Sequence, residues 1–497
     1  MSPPADTSRS TETLRSKNTP GTHGLPESAT ICVIGAGRSG CAAARQALGA
    51  GYYHVTLIDQ RPREDLHYLD EAMLDKLSLI QQPANSQKIR VTGKRSSTDQ
   101  LPVENDDRSI THVSDIDLIV ISPGVPASAI DNPNSLPIWS EVEFAYRFVE
   151  DQSKIIGITG SNGKSTTTAL VDHLFSSYDL ARRDKDNPGP THWTAGNIGK
   201  PLSEYLVEGN HLPDWIILEL SSYQLEHIDR FRANIAVLLN LSPDHLARYP
   251  GGIDDYYLAK RRLFETQQPG DIAICYNDPE CKRIMKGRES DAALSGQLNF
   301  YGYDDAPTVA RIDLCASVLA TSHAISMSSS AIISGANSFS GLPHRMEHIA
   351  TVEKVDYIND SKATNVGAVV ASIAGFPKPI ILLLGGYDKG LPFIDLLPVI
   401  EANCRQVVFF GQAGSEIHRQ LSDVASESNN ASKTSPAKLL LENIYSDLKQ
   451  ATLAAKEIAR PGDAVVLSPA CSSFDEFANF EARGHAFERI VKSLLDI

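Results

Sequence analysis

Ile158-Thr-Gly-Ser-Asn-Gly-Lys-Ser-Thr-Thr167 follows an apolar, strand-like run and leads straight into a helical pattern. Its reading decides the fold. Glycines let backbone N–H groups close around phosphate oxygens, the helix that follows points its positive end at them, and a lysine offsets their charge. Here Gly160, Ser161, Asn162 and Gly163 form the cradle, Lys164 supplies the charge, and Ser165 or Thr166 can hold Mg²⁺. The stretch predicts a nucleoside triphosphate seated on a parallel α/β sheet. Its spacing departs from G-x-x-x-x-G-K-[ST], because Ile158 stands where the first glycine belongs and Gly160 comes two residues later. A generic NTPase label is therefore too loose.

A second glycine loop, Gly35-Ala-Gly37-Arg-Ser-Gly40, lies upstream in a similar setting: a strand over 29–34, the loop, a helix, then Asp59 at the end of the next strand. Alone it suggests NAD. The physics requires only a phosphorylated ligand at a helix N-terminus, and a tight turn without any ligand is the plain alternative. Ser122-Pro-Gly124, at another strand end, is placed to close the pocket from the opposite side.

Around these loops, short β-branched runs alternate with longer helical patterns. Strands are expected over 55–59, 118–122, 154–159, 215–219 and 235–239, and again over 357–359, 380–384, 406–410 and 464–468. A chain of 497 residues exceeds what one core organises, and three α/β domains fit. A helix is expected over 140–150, with boundaries near 152 and 342, so the domains run 29–152, 153–341 and 342–497. Residues 1–28, rich in Ser, Thr and Pro, are expected to be a disordered leader, with surface insertions over 182–192 and 422–438. A formal charge of −15 gives no basic footprint for nucleic acid. Seven scattered cysteines without a C-x-x-C pair read as reduced thiols, and no run approaches the roughly 20 apolar residues that cross a bilayer. A cytoplasmic protein is expected.

Polar clusters stand at the strand ends, where parallel sheets bind ligands. Glu219-Leu-Ser-Ser-Tyr-Gln224 ends an apolar strand, and its carboxylate would hold Mg²⁺ beside the triphosphate; the alternative is a helix-capping glutamate. Asn240-Leu-Ser-Pro-Asp-His245 brings His245 to the same crevice. Lys260, on an amphipathic helical stretch, reads from composition alone as a solvated lysine. In the last third, Asn359-Asp-Ser-Lys-Ala-Thr-Asn365, Gly385-Gly-Tyr-Asp-Lys389 and Leu467-Ser-Pro-Ala-Cys-Ser-Ser-Phe-Asp475 line one sheet edge. Lys362, Lys389, Thr364 and Ser473 suit a small anionic acid.

Together these residues resemble the Mur ligases from about residue 29 onward. The most specific parts are Thr159 to Thr166, Glu219 to Leu225, Asn359 to Asn365, and Ser468 to Phe477 with Asn479-Phe480-Glu-Ala-Arg-Gly484. The C-terminal clusters favour the branch that adds D-glutamate. The resemblance implies a Rossmann-like N-terminal domain, a central P-loop ATPase-type parallel sheet and a Rossmann-like C-terminal domain. It also implies ATP-dependent amide bond formation through an acyl phosphate, in peptidoglycan precursor synthesis and hence in cell-wall biogenesis, cell shape and cell division.

On this resemblance Gly35, Gly37, Ser39, Gly40, Asp59, Arg61, Gly124, Asn197, Ser221 and Gln224 would serve UDP-N-acetylmuramoyl-L-alanine, and no NAD is expected. Lys164, Ser165 and Glu219 match ATP and first-Mg²⁺ positions, and His245 a second-Mg²⁺ position. Lys260 matches a lysine whose N-carbamate supports that second metal. Arg345, Asp360 and Lys362 would face ATP or the transferring phosphate, with Lys164, His245, Lys260 and Lys362 as the catalytic set. Thr364, Lys389, Ser473 and Phe480 would position D-glutamate, and the protein is expected to be a monomer. Two departures stand out. The family's His-Asn-x-x-Asn helix, which contacts adenine, is not found between 306 and 341, as though a segment were missing or replaced, and Ala247 stands where relatives often carry a polar residue. The other readings are a sister ligase, including the folylpolyglutamate type, an NAD-dependent oxidoreductase, and a non-catalytic homologue.

Overall fold

The computed structural model describes residues 25–26, 28–83, 88–93, 110–182, 189–208, 211–244, 248–289, 297–301, 310–325, 329–374, 376–388, 390, 392–427 and 444–495. Two of the expected site residues, His245 and Lys389, lie outside the described residues, as do most of the expected leader and parts of both expected insertions. The chain divides into two compact units, one of residues 1–241, 245–301 and 316–335, the other of 242–244, 302–315 and 336–497.

The first unit holds two larger sheets. In one, β1 (Thr30–Ile34), β2 (His54–Asp59), β3 (Ser78–Gln81), β6 (Leu118–Ile121) and β8 (Ile138–Ser140) pair in the order β3-β2-β1-β6-β8, all parallel. Their apolar runs are buried on both faces, as parallel strands covered by helices must be. A small parallel sheet of β4 (Lys88–Val91), β5 (Ile110–Val113) and β7 (Ile130–Asp131) sits beside it in the order β5-β4-β7. These strands went unrecognised in the sequence because they are two to four residues long and carry charged or polar side chains.

The other sheet, wholly parallel, orders its strands β10-β11-β9-β12-β13-β14: β9 (Lys154–Thr159), β10 (His192–Gly196), β11 (Trp215–Glu219), β12 (Ile235–Leu238), β13 (Ile272–Tyr276) and β14 (Gln297–Tyr301). Strand β10 runs from the end of the expected insertion into the Gly196-Asn-Ile-Gly199 loop. Gly157, in mid-strand on β9, has its own reason: a Cβ there would lie 2.8 Å from Leu263 Cδ1.

A short helix, Glu141–Tyr146, joins the two sheets; it is N-capped by Ser140 and stops well before residue 150. The buried Glu143 carboxylate accepts from the backbone N–H groups of Asp229 (2.9 Å), Arg230 (3.1 Å) and Phe231 (2.8 Å) and from Arg147 Nε at 2.5 Å. Glu141 Oε1 accepts from Ser203 N at 2.7 Å. Removing one partner of such a buried ionic network costs roughly 3–5 kcal/mol. The helix is thus a rigid joint between the two sheets.

The segment read as lacking a familiar helix is not empty. Helices Ala310–Ala324 and Ser329–Asn337 occupy it, and within the first unit they pack on the long helix Lys164–Arg182. His173 Nε2 lies 3.1 Å from Gly335 O, and Ser317 Oγ donates to Thr167 O at 3.4 Å. Helical structure therefore fills much of this stretch.

The second unit carries β15 (Glu347–Val352), β16 (Val355–Asn359), β17 (Ile380–Gly385), β18 (Cys404–Phe410), β19 (Ile444–Tyr445) and β20 (Ala464–Ala470) in the order β15-β16-β20-β17-β18-β19. Only the edge strand β15 is antiparallel. Apolar clusters fill both faces. In all three large sheets the strand order reverses next to a central strand, and the crevice created at such a point is where ligands bind.

Candidate active site

In the central sheet the crevice opens at the C-terminal ends of β9, β11 and β12. Gly160 and Gly163 take φ of +151° and +91°, which turns successive N–H groups into the loop. Asn240, just past β12, fixes the loop reciprocally: its Oδ1 accepts from Asn162 N and its Nδ2 donates to Asn162 O, both at 2.9 Å. Lys164 Nζ lies back on the loop carbonyls of Gly160 (2.8 Å) and Ser161 (2.9 Å). Ser165 is buried at the first turn of the helix, and the Thr166 hydroxyl is buried with no hydrogen-bond partner.

Lys260 corrects the reading drawn from composition. It is 1 % exposed, and its Nζ donates to Gly160 O at 2.9 Å while lying 4.5 Å from the Tyr256 ring. Helix Ile253–Arg261 buries Tyr256, Tyr257, Ala259 and Lys260 together, so the amine is satisfied by the phosphate loop instead of water. The sequence signal for Asn240 is a polar residue closing an apolar strand next to the loop.

Glu219 ends β11, level with Ile158. Its Oε1 accepts from Asn197 Nδ2 at 2.8 Å; its Oε2 is buried and has no partner. An orphaned carboxylate oxygen inside a protein is costly unless a ligand completes it. Set beside a glycine loop and an unpartnered threonine hydroxyl, it fits a hard cation held mainly by oxygen ligands and phosphate. Among the described residues no group of three His, Cys, Asp or Glu side chains is placed for a metal. Ser221 and Gln224, by contrast, occupy each other: they form a capping box on helix Ser222–Leu225, with Gln224 Oε1 accepting from Ser221 N and Oγ at 3.0 Å.

The first sheet has its own cavity of about 500 Å³, lined by Gly35, Asp59, Gln82 and Gly124 among others. Gly35 takes φ +90°, and a Cβ on Gly40 would fall 1.9 Å from Gly35 O, so strand and helix meet there only as glycines. Ser122 Oγ donates to Gly35 O at 2.7 Å. Asp59 is fully engaged, accepting from Ala36 N (2.6 Å), Arg61 N (2.9 Å) and Arg61 Nε (2.8 Å). Burial works to raise its pKa, but the bonds from Arg61 and Ala36 outweigh it and hold the carboxyl below the usual range. Gly37 and Ser39 stand at the start of helix Arg38–Gly49, where an anion would meet free N–H groups.

In the second unit the strand-end clusters converge. Asp360, 2 % exposed, accepts from Met346 N (3.2 Å) and Ser468 Oγ (2.8 Å), and burial pushes its carboxyl up to about 6 despite those bonds and the nearby Arg345. Lys362 Nζ lies 5.4 Å from the Phe480 ring. Thr364 follows on the same loop, and Ser473 is buried after β20. Arg483 organises the cluster: buried, it donates to Ser361 Oγ (3.0 Å), Ser361 O (2.9 Å), Cys471 O (3.0 Å) and Ser472 O (3.0 Å). Arg483 lies in the Asn479 to Gly484 stretch, whose spacing alone assigns it no role.

Comparison with known proteins agrees with this arrangement. Residues 158–324 match the Mur ligase middle domain, and residues 344–471 the Mur ligase glutamate ligase domain. The UDP-N-acetylmuramoylalanine--D-glutamate ligase of Salinibacter ruber is 35 % identical, the match covering 77 % of this chain and 85 % of that protein. The protein of that name from Anaeromyxobacter dehalogenans is 34 % identical, over 93 % of this chain and 96 % of its own length. A crystal structure of MurF from Acinetobacter baumannii shares the fold, with a TM-score of 0.50 at 14 % identity over 77 % of this chain and 86 % of that one. With matches of this identity and length, the chain belongs to the UDP-N-acetylmuramoylalanine:D-glutamate ligase family of ATP-dependent Mur ligases.

Proposed function

We propose that this protein joins D-glutamate to UDP-N-acetylmuramoyl-L-alanine, converting ATP to ADP and phosphate, in the cytoplasmic synthesis of peptidoglycan precursor. The observation that carries this reading is the buried, unpartnered Oε2 of Glu219 at the mouth of the Gly160 to Thr166 loop. A carboxylate is a poor electrophile. The L-alanyl carboxylate attacks the γ-phosphorus of ATP, ADP leaves, and the resulting acyl phosphate is attacked by the D-glutamate amine, which loses a proton as phosphate departs and the amide forms.

In this scheme the loop of Gly160, Ser161, Asn162, Gly163 and Thr166 surrounds the phosphates, its shape held by Asn240, which accepts from the Ser161 and Asn162 N–H groups, and Lys164 turns from its loop carbonyls to the β/γ-phosphates. Ser165 and Glu219 would hold one Mg²⁺; His245, with Lys260 as its carbamate, would hold a second. These ions offset charge on the phosphoryl oxygens. The uridine diphosphate is assigned to Gly35, Gly37, Ser39, Gly40, Asp59, Arg61 and Gly124, with Asn197, Ser221 and Gln224 toward the sugar-peptide end. Arg345, Asp360 and Lys362 are assigned to the phosphoryl group, and Thr364, Lys389, Ser473 and Phe480 to D-glutamate. Three domains, 29–152, 153–341 and 342–497, then carry one substrate each in a monomer without nucleic-acid or membrane partners.

The test is ADP release with ATP, Mg²⁺, UDP-N-acetylmuramoyl-L-alanine and D-glutamate, omitting each in turn. Release that ignores the omission of D-glutamate sinks the reading. Lys164→Ala should lower the D-glutamate-dependent rate by on the order of a thousandfold, because it removes charge from the transferring phosphoryl group.

A further inference from the structure

Arg38 sits inside the N-terminal glycine loop, between Gly37 and Gly40, yet its side chain leaves that sheet altogether. Its Nε and one terminal nitrogen donate to the two carboxylate oxygens of Glu204, at 3.1 and 3.2 Å, and its other terminal nitrogen donates to Gly199 O at 2.8 Å. Glu204 belongs to helix Leu202–Val207 beside the central sheet, and Gly199 belongs to the loop that follows β10. Gly196 N donates to Lys200 O at 3.0 Å and closes that loop. Asn197, in the same loop, donates from its backbone N to Glu219 O at 2.9 Å and from Nδ2 to Glu219 Oε1 at 2.8 Å. The loop lies close against the strand end: a Cβ on Gly196 would fall only 2.3 Å from Glu219 O. An unbroken chain of bonds thus runs from one ligand loop to the carboxylate of the other.

On the reading of the two loops given above, we propose that Arg38 is a positioning residue that couples occupancy of the UDP-binding loop to the orientation of Glu219, and so to Mg²⁺–ATP binding. A diphosphate at Gly35 to Gly40 fixes the first turn of helix Arg38–Gly49, and with it the base of the Arg38 side chain. The planar guanidinium passes this order on because its fork holds a carboxylate and a carbonyl at once, which an ammonium cannot do with the same geometry. A second basic group supports the link: Arg45 lies 3.9 Å from Glu204. Arg38 is half-exposed, and exposed ion pairs contribute only about 0–1 kcal/mol to stability, so its removal should leave the fold intact.

The experiment is calorimetric titration of UDP into the full chain, with and without saturating Mg²⁺ and a non-hydrolysable ATP analogue. The wild type should bind UDP about fivefold or more tightly when the second ligand is present, the lower end of ordinary coupling. In Arg38→Ala that ratio should fall below about twofold, with the melting temperature unchanged; Arg38→Lys and Glu204→Gln should fall between. A merely structural salt bridge would shift stability and leave the ratio alone. Coupling retained in Arg38→Ala and Glu204→Gln, or no coupling in the wild type, overturns the proposal. Failure of the wild type to bind UDP at all is a different result: it removes the assignment of the glycine loop itself, and the proposal with it.

Discussion

Gly35 and Gly160 stand at the same place in two parallel sheets, each just past the C-terminal end of a central strand and each at positive φ. Both loops open a helix, and both are braced by a residue from a neighbouring strand end, Ser122 in one and Asn240 in the other. The acid next to each loop sets them apart. Asp59 has both oxygens occupied by Arg61 and by the loop's own Ala36 N–H, whereas Glu219 keeps one buried oxygen unpartnered. Lysine amines of Lys164 and Lys260, too, are aimed at the central loop. A satisfied acid shapes a cradle for an anion, and an unsatisfied one with lysines nearby prepares for an anion together with a cation. Two loops that look interchangeable as glycine patterns are therefore chemically distinct.

The largest expected effect strikes that distinction directly. Glu219→Gln keeps an oxygen for Asn197 but sets an amide N–H₂ where the open acceptor was, so the ADP-release rate should fall on the order of a hundredfold to a thousandfold. Stability should hold or rise, because a buried charge is removed. A rate within tenfold of wild type would mean that the orphaned oxygen is not the cation's seat.

The next effect concerns the joint that carries both loops. Burial raises the Glu141 carboxyl from its ordinary 4.5 to about 7. A carboxyl whose folded pKa lies above its unfolded one favours the fold when neutral. Its contribution is therefore complete below about pH 4.5 and is lost as pH climbs through about 7. Glu141→Gln keeps an oxygen for the Ser203 N–H and removes the charge, so its gain over wild type should grow between pH 5 and 8.5 toward on the order of 3 kcal/mol. Urea unfolding at those two pH values measures it. A gain that does not depend on pH would show that the joint does not hold this carboxyl neutral.

Much of this was legible in the sequence, for a physical reason. Parallel strands covered on both faces must be unbroken apolar runs, and their ends are where polar residues become conspicuous, so β1, β2, β6, β9, β11, β12, β16, β17, β18 and β20 and the positions of Glu219, Asp360 and Ser473 could be read directly, whereas β3, β8, β10, β13, β14 and β19 of the same sheets were not. Strands β4, β5 and β15 were hidden because short or edge strands alternate polar and apolar residues much as loops do. Lys260 was hidden because a lysine's environment is set by what packs on its helix, here a loop 100 residues upstream in sequence. Arg38 occupied a variable position of a glycine pattern, and its partners, Gly199 and Glu204, are more than 160 residues away. Long-range side-chain pairing leaves no periodic trace.

The smallest effect belongs to the satisfied loop. In Asp59→Asn the side chain still offers one acceptor, but its amide N–H₂ must face a donor, either Arg61 or the Ala36 N–H. Losing one charge-assisted bond of this kind, part-buried, loosens the cradle without breaking the β1 to β2 pairing that supports it. UDP binding should weaken about tenfold, which is about 1.4 kcal/mol, while binding of the ATP analogue in the absence of UDP stays within about twofold of wild type. That asymmetry separates a ligand loop from a shared scaffold. If both affinities fell together, Asp59 would be holding up the whole first unit, and the contrast between a filled and an open carboxylate would no longer explain what each loop binds.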